Sequence, residues 1–278
     1  MRFNSTFSGS RRGMRFILGI LLLFPVASAY SFERVVVLYA PASDIVKLLG
    51  GEKLVVGVTR TDHNFKKAVK VGSHLRPNIE LIRALEPDLI ITGSERAFPK
   101  SMQEKFEAQF YRFDPLNLKG VLRDIEKLGA LLDARDIANK IVMQQSEKLR
   151  SIQKLNKMPS VVYEISERPL RVAGGPSIMT SIIETAGGRS AIRTDKKHVT
   201  VSAERIIALN PDYYIYQKGP MNKNPEHPLK RPYFTPMQSR IVQVDQYLFS
   251  RPGINVFEAT VKLNRIFLEK DQVSRDTQ

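Results

Sequence analysis

The sequence predicts an α/β protein with two similar lobes, each a mainly parallel β-sheet flanked by helices. One long α-helix joins the lobes, and a ligand cleft lies between them. Three observations predict this fold class: a motif that occurs twice, an alternation of strand-like and helix-like runs in both halves, and a proline-free helical segment between the halves.

The repeated motif is the most informative of the three. Residues 80–91 (ELIRALEPDLII) return as residues 204–215 (ERIIALNPDYYI), 124 residues further on and in constant register. Each copy predicts a short amphipathic helix, which the proline ends, followed by a strand of buried apolar residues. A unit that recurs once at half-chain distance predicts two similar lobes, and clefts between lobes are common ligand sites.

The strand-like and helix-like runs alternate as in a parallel sheet covered by helices. In the first half, strands are predicted at 35–38, 54–58, 89–92 and 109–113, and helices at 43–49 and 78–84. In the second half, strands are predicted at 161–165, 170–173, 213–216 and 241–244, and helices at 177–186, 202–209 and 255–267.

The segment between the halves, residues 118–157, contains no proline and no glycine after Gly129. Its apolar residues recur at helical spacing, so we expect a helix of about 22 residues from Ala134, roughly 33 Å long at 1.5 Å per residue. The alternative is an ordinary core helix within a single domain. The predicted division is an N-terminal lobe at 30–117, connecting helices at 118–157 and a C-terminal lobe at 158–278.

Residues 1–29 have the pattern of a secretory signal peptide, because basic residues precede an unbroken apolar run at 16–26 and a small-x-small cleavage site at 27–29. The run is short for a transmembrane helix, which is the weaker interpretation, and Met14 is an alternative start. Without cysteine, neither a disulfide nor a lipid-anchored N-terminal cysteine is possible. We therefore expect a periplasmic monomer without a membrane anchor.

The charge balance is basic. The formal net charge is +15, and loss of the four basic residues of the signal peptide leaves +11. Such an excess suits nucleic acid, an anionic membrane surface or an anionic ligand. Secretion argues against nucleic acid, and the basic residues are scattered without interleaved aromatic residues. We therefore interpret them as a solvated surface and expect no nucleic-acid partner.

Several runs resemble the periplasmic binding proteins of ABC importers for iron chelates, haem and vitamin B12. They are residues 34–44 (RVVVLYAPASD), 55–58 (VVGV), 71–72, the doubled motif and 250–253 (SRPG). The resemblance covers nearly all of the mature chain. It implies two α/β lobes joined by one long helix, a ligand held between them with little hinge motion, and a permease dimer with its ATPase as partner.

In the resembled family, an acidic residue near the start of each repeated helix docks into arginine pockets on the permease. Glu80 and Glu204 occupy those positions here. One carboxylate on each lobe would fix orientation as well as attraction. The alternative is a helix-dipole role, because a carboxylate in a first turn is stabilising anyway.

Two histidines share the register of the repeat: His74 stands six residues before Glu80, and His198 six residues before Glu204. In the resembled family these loops lie at the lobe-facing ends, and haem binders carry a tyrosine ligand beside the His74 position, where this chain has Ser73. A facing imidazole pair would ligate haem iron or a chelated metal. The alternative is two exposed loop histidines that align by chance.

Further candidates lie after the predicted strands of the first half. Asp62 and His63 follow the second strand on a loop expected to line the cleft, and with His74 they would complete a metal site. Tyr39 ends the first strand and would supply a phenolate to haem. A tyrosine on an apolar strand is more often a packing residue, which is the alternative.

The second half supplies the remaining candidates. Gly175 and Ser177 belong to a GGPS turn whose N–H groups would grip a carboxylate or phosphate of the ligand, although a tight turn also explains the glycines. Lys218 and Met221 follow the second repeated strand on a loop rich in glycine, proline and asparagine, and we expect them to contact the ligand. Arg251 either faces an anionic ligand or holds its own loop.

Catalytic signatures are absent from the sequence, which has no cysteine nucleophile, no G-x-S-x-G and no H-E-x-x-H. We therefore predict a binding protein, not an enzyme, with no catalytic cofactor and with a ferric siderophore or haem as ligand. Vitamin B12 is less favoured, because corrinoid clefts of the resembled family are lined by large aromatic residues and this chain has no tryptophan. A bare metal ion is a further candidate ligand, and a secreted hydrolase using Ser177 is the candidate from a different class of protein.

Overall fold

The structure is a computed structural model that describes residues 1–2 and 32–276, with side chains as far as Glu269. All but the first two residues of the predicted signal peptide lie outside the described residues. The described residues from 32 to 276 pack as one compact unit, so the lobe boundaries at 117 and 157 stay predictions. Within the described ranges, no helix has both the length and the apolar character needed to cross a membrane.

The first half of the described chain builds a five-stranded sheet and a separate two-stranded hairpin. The strands are β1 (Val35–Val37), β2 (Val55–Val58), β3 (Val69–Lys70), β4 (Gly72–Ser73), β5 (Arg76–Pro77), β6 (Leu89–Thr92) and β7 (Gln109–Arg112). The helices are α1 (Ala40–Leu48), α2 (Ile79–Ala84) and α3 (Lys100–Gln103). The sheet order is β3-β2-β1-β6-β7, and every neighbouring pair is parallel, which confirms the predicted parallel sheet.

Two helices, rather than one, connect this sheet to the second. They are α4 (Leu118–Leu131) and α5 (Arg135–Arg150), and Asp133 turns the chain between them with a φ of 52°. The predicted helix of about 22 residues is therefore too long, because α5 has 16 residues and lies back against α4. The two helices approach closely, since a Cβ at Gly129 would lie 2.3 Å from the Cβ of Ala138.

The second half builds a six-stranded sheet with four helices. The strands are β8 (Ser160–Ser166), β9 (Arg171–Ala173), β10 (Arg189–Ser190), β11 (His198–Thr200), β12 (Tyr213–Lys218) and β13 (Arg240–Asp245). The helices are α6 (Ile178–Thr185), α7 (Ala203–Leu209), α8 (Gln246–Phe249) and α9 (Val256–Asp276).

The second sheet matches the first along one side only. Its order is β11-β9-β8-β12-β13, with β10 also paired to β8. Strand β8 is parallel to β10 and β12, and β12 is parallel to β13. Strand β9 is antiparallel to both β8 and β11. The trio β8, β12 and β13 thus repeats β1, β6 and β7, and the lobes differ at the opposite edge.

The repeated motif forms the same local structure in both lobes. Asn78 and Ser202 are the N-caps of α2 and α7, and each side chain accepts a hydrogen bond from the N–H three residues on. The residue before each motif proline is left-handed, with φ of 45° at Glu86 and 39° at Asn210. This conformation ends the helix and turns the chain into the following strand.

The motif aspartates hold the start of the central strand in each sheet. The carboxylate of Asp88 accepts hydrogen bonds from the N–H groups of Glu33 and Arg34, at 2.7 and 3.0 Å. The carboxylate of Asp212 accepts them from the N–H and the hydroxyl of Ser160, at 2.8 and 2.7 Å. The strands that follow these contacts, β1 and β8, occupy equivalent places in the two sheets.

One apolar core runs through both lobes. It includes Val35 of the first sheet, Leu128 of α4, Ile215 of the second sheet and Phe257 of α9. Two smaller clusters cover the opposite faces of the two sheets. Because close-packed interiors resist sliding, we expect the lobes to move little relative to each other.

Candidate functional site

Two ion pairs join the lobes. The guanidinium of Arg251, which follows α8, lies 3.7 Å from the carboxylate of Asp44 in α1. The ammonium of Lys197, just before β11, lies 3.0 Å from the carboxylate of Asp114, which follows β7. In both pairs the first lobe supplies the acid and the second lobe supplies the base. We call Tyr39, Asp44, Asp114, Lys197 and Arg251 the lobe junction.

Tyr39 follows β1, and charged groups of both lobes influence the pKa of its phenol. Burial and the Asp114 carboxylate raise the pKa of its phenol well above the ordinary value, and the Arg251 guanidinium opposes the rise. The hydroxyl is therefore protonated at neutral pH. Its ring packs against Phe113 with the centroids 6.3 Å apart. Within residues 32–276 no protein group hydrogen-bonds the Tyr39 hydroxyl, which leaves it available to a ligand.

Gly93 leaves space for the Tyr39 ring. This glycine follows β6, the strand beside β1, and a Cβ there would lie 3.1 Å from two carbons of the Tyr39 ring. Such a distance is shorter than ordinary van der Waals contact, so a side chain at position 93 would push the Tyr39 ring by a few tenths of an ångström. The glycine is thus explained by a close approach between neighbouring strand ends.

The loop after β2 supports Asp44. The side-chain amide of Asn64 donates to the Asp44 carboxylate at 2.7 Å, and the N–H of Asn64 donates to the Asp62 carboxylate at 2.9 Å. Asp62 is only 4% exposed and shapes its own loop, and its direct contact with the ligand stays a prediction. His63 is exposed on the same loop.

An open depression of about 560 Å³ lies at the carboxyl ends of β12 and β13. Its lining residues are Lys218, Gly219, Pro220, Lys223, Gln243, Val244 and Asp245. Ligands of α/β proteins bind beyond the carboxyl ends of parallel strands, and the volume is within the usual range for a ligand pocket. Lys218 lines this depression, whereas Met221 lines a different depression of about 270 Å³, and the ligand contacts of both residues stay predictions.

The two register-matched histidines occupy different structures. His74 is exposed in the turn between β4 and β5, and partial desolvation lowers its pKa. His198 is half-buried at the start of β11, where it pairs with Ala173. Burial, followed by the charges of Arg171 and Lys197, lowers the pKa of His198 to about 4. In the described part of the chain, no three metal-binding side chains converge.

Glu80 and Glu204 occupy the same position, two residues after the N-cap of their helices. The Glu80 side chain is 79% exposed and lies 3.3 Å from the guanidinium of Arg83. Glu204 is fully exposed, and hydrogen bonds from its own N–H and from the Ser202 hydroxyl lower its pKa. None of the described cationic side chains pairs with Glu204. The two carboxylates are therefore equivalent in position but not in local charge.

The GGPS turn bonds its own N–H groups within the protein. The N–H of Gly174 donates to the Lys197 carbonyl at 3.0 Å, and the N–H of Gly175 donates to the Thr194 carbonyl at 3.1 Å. The N–H of Ser177 donates to the Gly175 carbonyl at 2.8 Å. The buried Ser177 hydroxyl caps α6 and donates to the Gly174 carbonyl at 2.8 Å. The N–H groups that we expected to grip an anionic ligand are therefore already bonded, and ligand contacts at Gly175 and Ser177 stay predictions. A buried capping hydroxyl is equally unsuited to act as the nucleophile of a hydrolase.

A buried charge cluster in the second lobe was not predicted. Glu164 and Arg231 are completely buried, and their side chains pair at 2.5 and 3.1 Å. The Tyr214 hydroxyl and the Asn222 amide also donate to Glu164. Arg231 donates as well to the carbonyl of Glu226, so the cluster fastens the long connection between β12 and β13 to the sheet. The sequence offered one signal, a lone glutamate within an apolar strand.

Two sheets bridged by a helical hairpin, sharing a core and meeting at a polar junction, define a two-lobed solute-binding protein. The matched region makes the assignment specific: the chain belongs to the periplasmic binding protein family, whose family model matches residues 35–271.

Individual relatives are consistent with this family. The chain is 27% identical over 208 residues, 71% of this chain and 76% of the relative, to the vitamin B12-binding protein of Vibrio vulnificus. It is 24% identical over 163 residues, 55% of either chain, to the high-affinity heme uptake system protein IsdE of Staphylococcus aureus. Its fold matches the periplasmic heme-binding protein HutB of Vibrio cholerae with a TM-score of 0.72 at 18% identity, covering 84% of this chain and 98% of that chain.

Proposed function

We propose that this protein captures an iron complex, either haem or a ferric siderophore, in the periplasm and delivers it to the permease dimer of an ABC importer with its ATPase. Family membership supports the capture role. The names of the S. aureus and V. cholerae proteins support haem as a ligand. The iron complex is cargo in this proposal, and no chemical step is required of the protein.

The observation that carries the proposal is the Tyr39 hydroxyl at the lobe junction. It has no partner in the described part of the protein, and its raised pKa keeps it a neutral donor. A hydrogen bond from it to an anionic oxygen of the ligand would stabilise the complex. If ferric iron itself contacts Tyr39, the metal must displace the phenolic proton, because the phenolate is the stronger iron ligand.

The charges of the lobe junction favour an anionic ligand. The Arg251 guanidinium contacts the Asp44 carboxylate at 3.7 Å, and its Cζ lies 5.3 Å from the centroid of the Tyr247 ring. Carboxylates of haem or of a siderophore would replace Asp44 and Asp114 as partners of Arg251 and Lys197. Both ion pairs are partly exposed, so giving one up costs about 1 kcal/mol or less.

His198 supports a metal-containing ligand. Its pKa of about 4 keeps the imidazole neutral at pH 7, which is the form that ligates iron. It directly follows Lys197 of the lobe junction. His74 on the exposed hairpin is the second candidate, and joint ligation by the two histidines is part of the proposal.

Vitamin B12 is the second candidate ligand, favoured by the 27% identity to the V. vulnificus protein. The lack of tryptophan is the argument against it. We favour a chelate over a bare ion, because among the described residues no group of three metal-binding side chains is available.

Glu80 and Glu204 are proposed to contact the permease. Both carboxylates are exposed, one on each lobe, at the same position of the repeated helices. They are acidic features on a chain of net charge +15, so a partner with basic pockets would recognise them selectively.

The absorbance spectrum of protein purified from its native compartment tests the ligand class, because haem, ferric chelates and corrinoids have distinct bands. Ligand-free protein is then titrated with hemin, a ferric siderophore and cyanocobalamin. We expect saturable binding of an iron complex that is tighter than binding of cyanocobalamin. Saturable binding of cyanocobalamin alone would replace iron by a corrinoid, and no binding of any of the three would refute the proposal.

A further inference from the structure

A depression of about 340 Å³ lies beside the start of α7. Its wall is mostly apolar and consists of Pro169, Leu170, Val201, Ala203 and Tyr233, which we call the apolar socket. Arg168 and Glu167 complete the rim, and their side chains pair with each other at 3.1 Å. The rim charges are thus mutually compensated, and the socket itself is left for an apolar group.

The socket is a fixed part of the surface. The Tyr233 ring is 40% exposed and packs against Phe234, with the ring centroids 4.9 Å apart. Phe234 is completely buried and packs against Tyr214 at 5.2 Å. Arg231, just before this segment, is held by its buried ion pair with Glu164. The buried charge cluster therefore holds Tyr233, the aromatic wall of the socket, in position beside α7.

An acidic group stands next to the socket. Ala203 lines it, and Glu204 follows Ala203 directly. Glu204 is fully exposed and has no cationic partner in the described part of the protein. The equivalent Glu80 of the first lobe already has Arg83 at 3.3 Å. The second lobe thus presents an uncompensated carboxylate beside an apolar pocket, whereas the carboxylate of the first lobe is partly neutralised.

We infer that the apolar socket receives an apolar side chain of the permease while a neighbouring basic side chain of the permease pairs with Glu204. This inference rests on the docking role proposed above. A basic and an apolar side chain of the permease, placed side by side, match Glu204 and the apolar socket beside it. The apolar contact excludes water from the neighbouring ion pair and so strengthens it. The second lobe then anchors the complex, and the contact at Glu80 is secondary.

Uptake of radioactive iron supplied as hemin tests the inference, in cells of the source bacterium that lack the native protein and carry each variant. Tyr233→Ser removes the aromatic wall and Val201→Lys places a charge in the socket. Leu229→Ser is the matched control, because Leu229 is 53% exposed on the same β12–β13 connection but does not line the socket. We expect both socket variants to lower uptake about tenfold or more, as for central interface residues. The control should retain uptake, and hemin affinity and thermal unfolding of the purified proteins should be unchanged.

Glu204→Lys distinguishes the socket from the docking role. Normal uptake by the socket variants together with failed uptake by Glu204→Lys would overturn the socket and leave docking intact. Normal uptake by Glu204→Lys would refute the docking role itself. Weakened hemin binding by folded socket variants would also overturn the inference, because the substitutions would then act on ligand capture. If Tyr233→Ser unfolds, the Val201→Lys result decides.

Discussion

Arg251 and Asp44 lie 3.7 Å apart and connect the segment after α8 to the first helix of the chain. The two side chains are 27% and 31% exposed, so the pair contributes about 1 kcal/mol or less to stability. The contact also places a guanidinium close enough to Tyr39 to influence its pKa. The pair therefore matters more for what the lobe junction presents to a ligand than for holding the lobes together.

Replacing Arg251 by glutamine should weaken binding of an anionic iron complex. The variant loses a charge-assisted contact of about 1.5–3 kcal/mol, which is a tenfold or greater loss of affinity. Titration with hemin measures the loss, and urea unfolding should show a change of about 1 kcal/mol or less. Arg240→Gln is the control, since Arg240 pairs with Glu269 at 3.4 Å on the exposed surface. Equal hemin affinity for both variants would contradict the prediction.

Tyr39→Phe should separate binding from stability. The substitution removes a hydroxyl that bonds to no described protein group, so the free energy of unfolding should hardly change. Hemin affinity should fall about tenfold because one hydrogen bond is lost. Tyr111→Phe reverses the pattern, because the Tyr111 hydroxyl donates to Asp124 at 2.8 Å and its loss should cost stability and spare affinity. A Tyr39→Phe protein that binds hemin normally would remove this hydroxyl from the site.

His198 should make stability depend on pH. Its folded-state pKa of about 4 is below the ordinary 6.5, so the unfolded chain binds a proton that the folded chain does not between these values. The contribution is complete above pH 6.5 and is lost as the pH falls toward 4, with a slope of less than about 1.4 kcal/mol per pH unit because the imidazole is only half-buried. His198→Asn should flatten the dependence measured by urea unfolding. His63→Asn, on an exposed loop, is the control, and identical curves for His198→Asn and wild type would refute the assignment.

Local chemistry made most of the fold readable from the sequence. Each copy of the motif, around Glu86 and Asn210, contains a helix N-cap, the residue that ends the helix and the following strand. Its two copies therefore predicted two lobes. The turn at Asp133 was harder to foresee, because an aspartate in a left-handed conformation leaves no glycine or proline signal. Apolar periodicity continues across that turn and suggested one helix instead of two.

The site was less predictable, because its contacts join residues that are distant in the chain. Nothing near Glu164 indicates that Arg231 will meet it, and nothing near Arg251 points to Asp44. Ser177 is ambiguous for a related reason, since an N-cap serine and a ligand-binding serine at a helix start have the same sequence pattern. Only burial and hydrogen-bond partners separate the two roles.

The left-handed residues of the motif give a further prediction. Glu86→Gly should stabilise the protein by about 0.5–1 kcal/mol, because glycine avoids the steric cost of φ at 45° and loses part of that gain to unfolded-state entropy. Asn210→Gly should gain less, since asparagine tolerates this conformation better than glutamate. Urea unfolding of the two variants compares them under the same conditions. A loss of stability at Glu86 or a larger gain at Asn210 would contradict the explanation.

The buried pair of Glu164 and Arg231 predicts the largest single effect on stability. Arg231→Met leaves the Glu164 carboxylate buried without its main partner and should cost about 3–5 kcal/mol. Adding Glu164→Gln removes that uncompensated charge, so the double variant should recover part of the loss. Urea unfolding measures the cycle, with Arg240→Met as the exposed-arginine control. If Arg231→Met were no more destabilising than the control, the cluster would not fasten the β12–β13 connection. The aromatic wall at Tyr233 would then need another support, because this connection carries it.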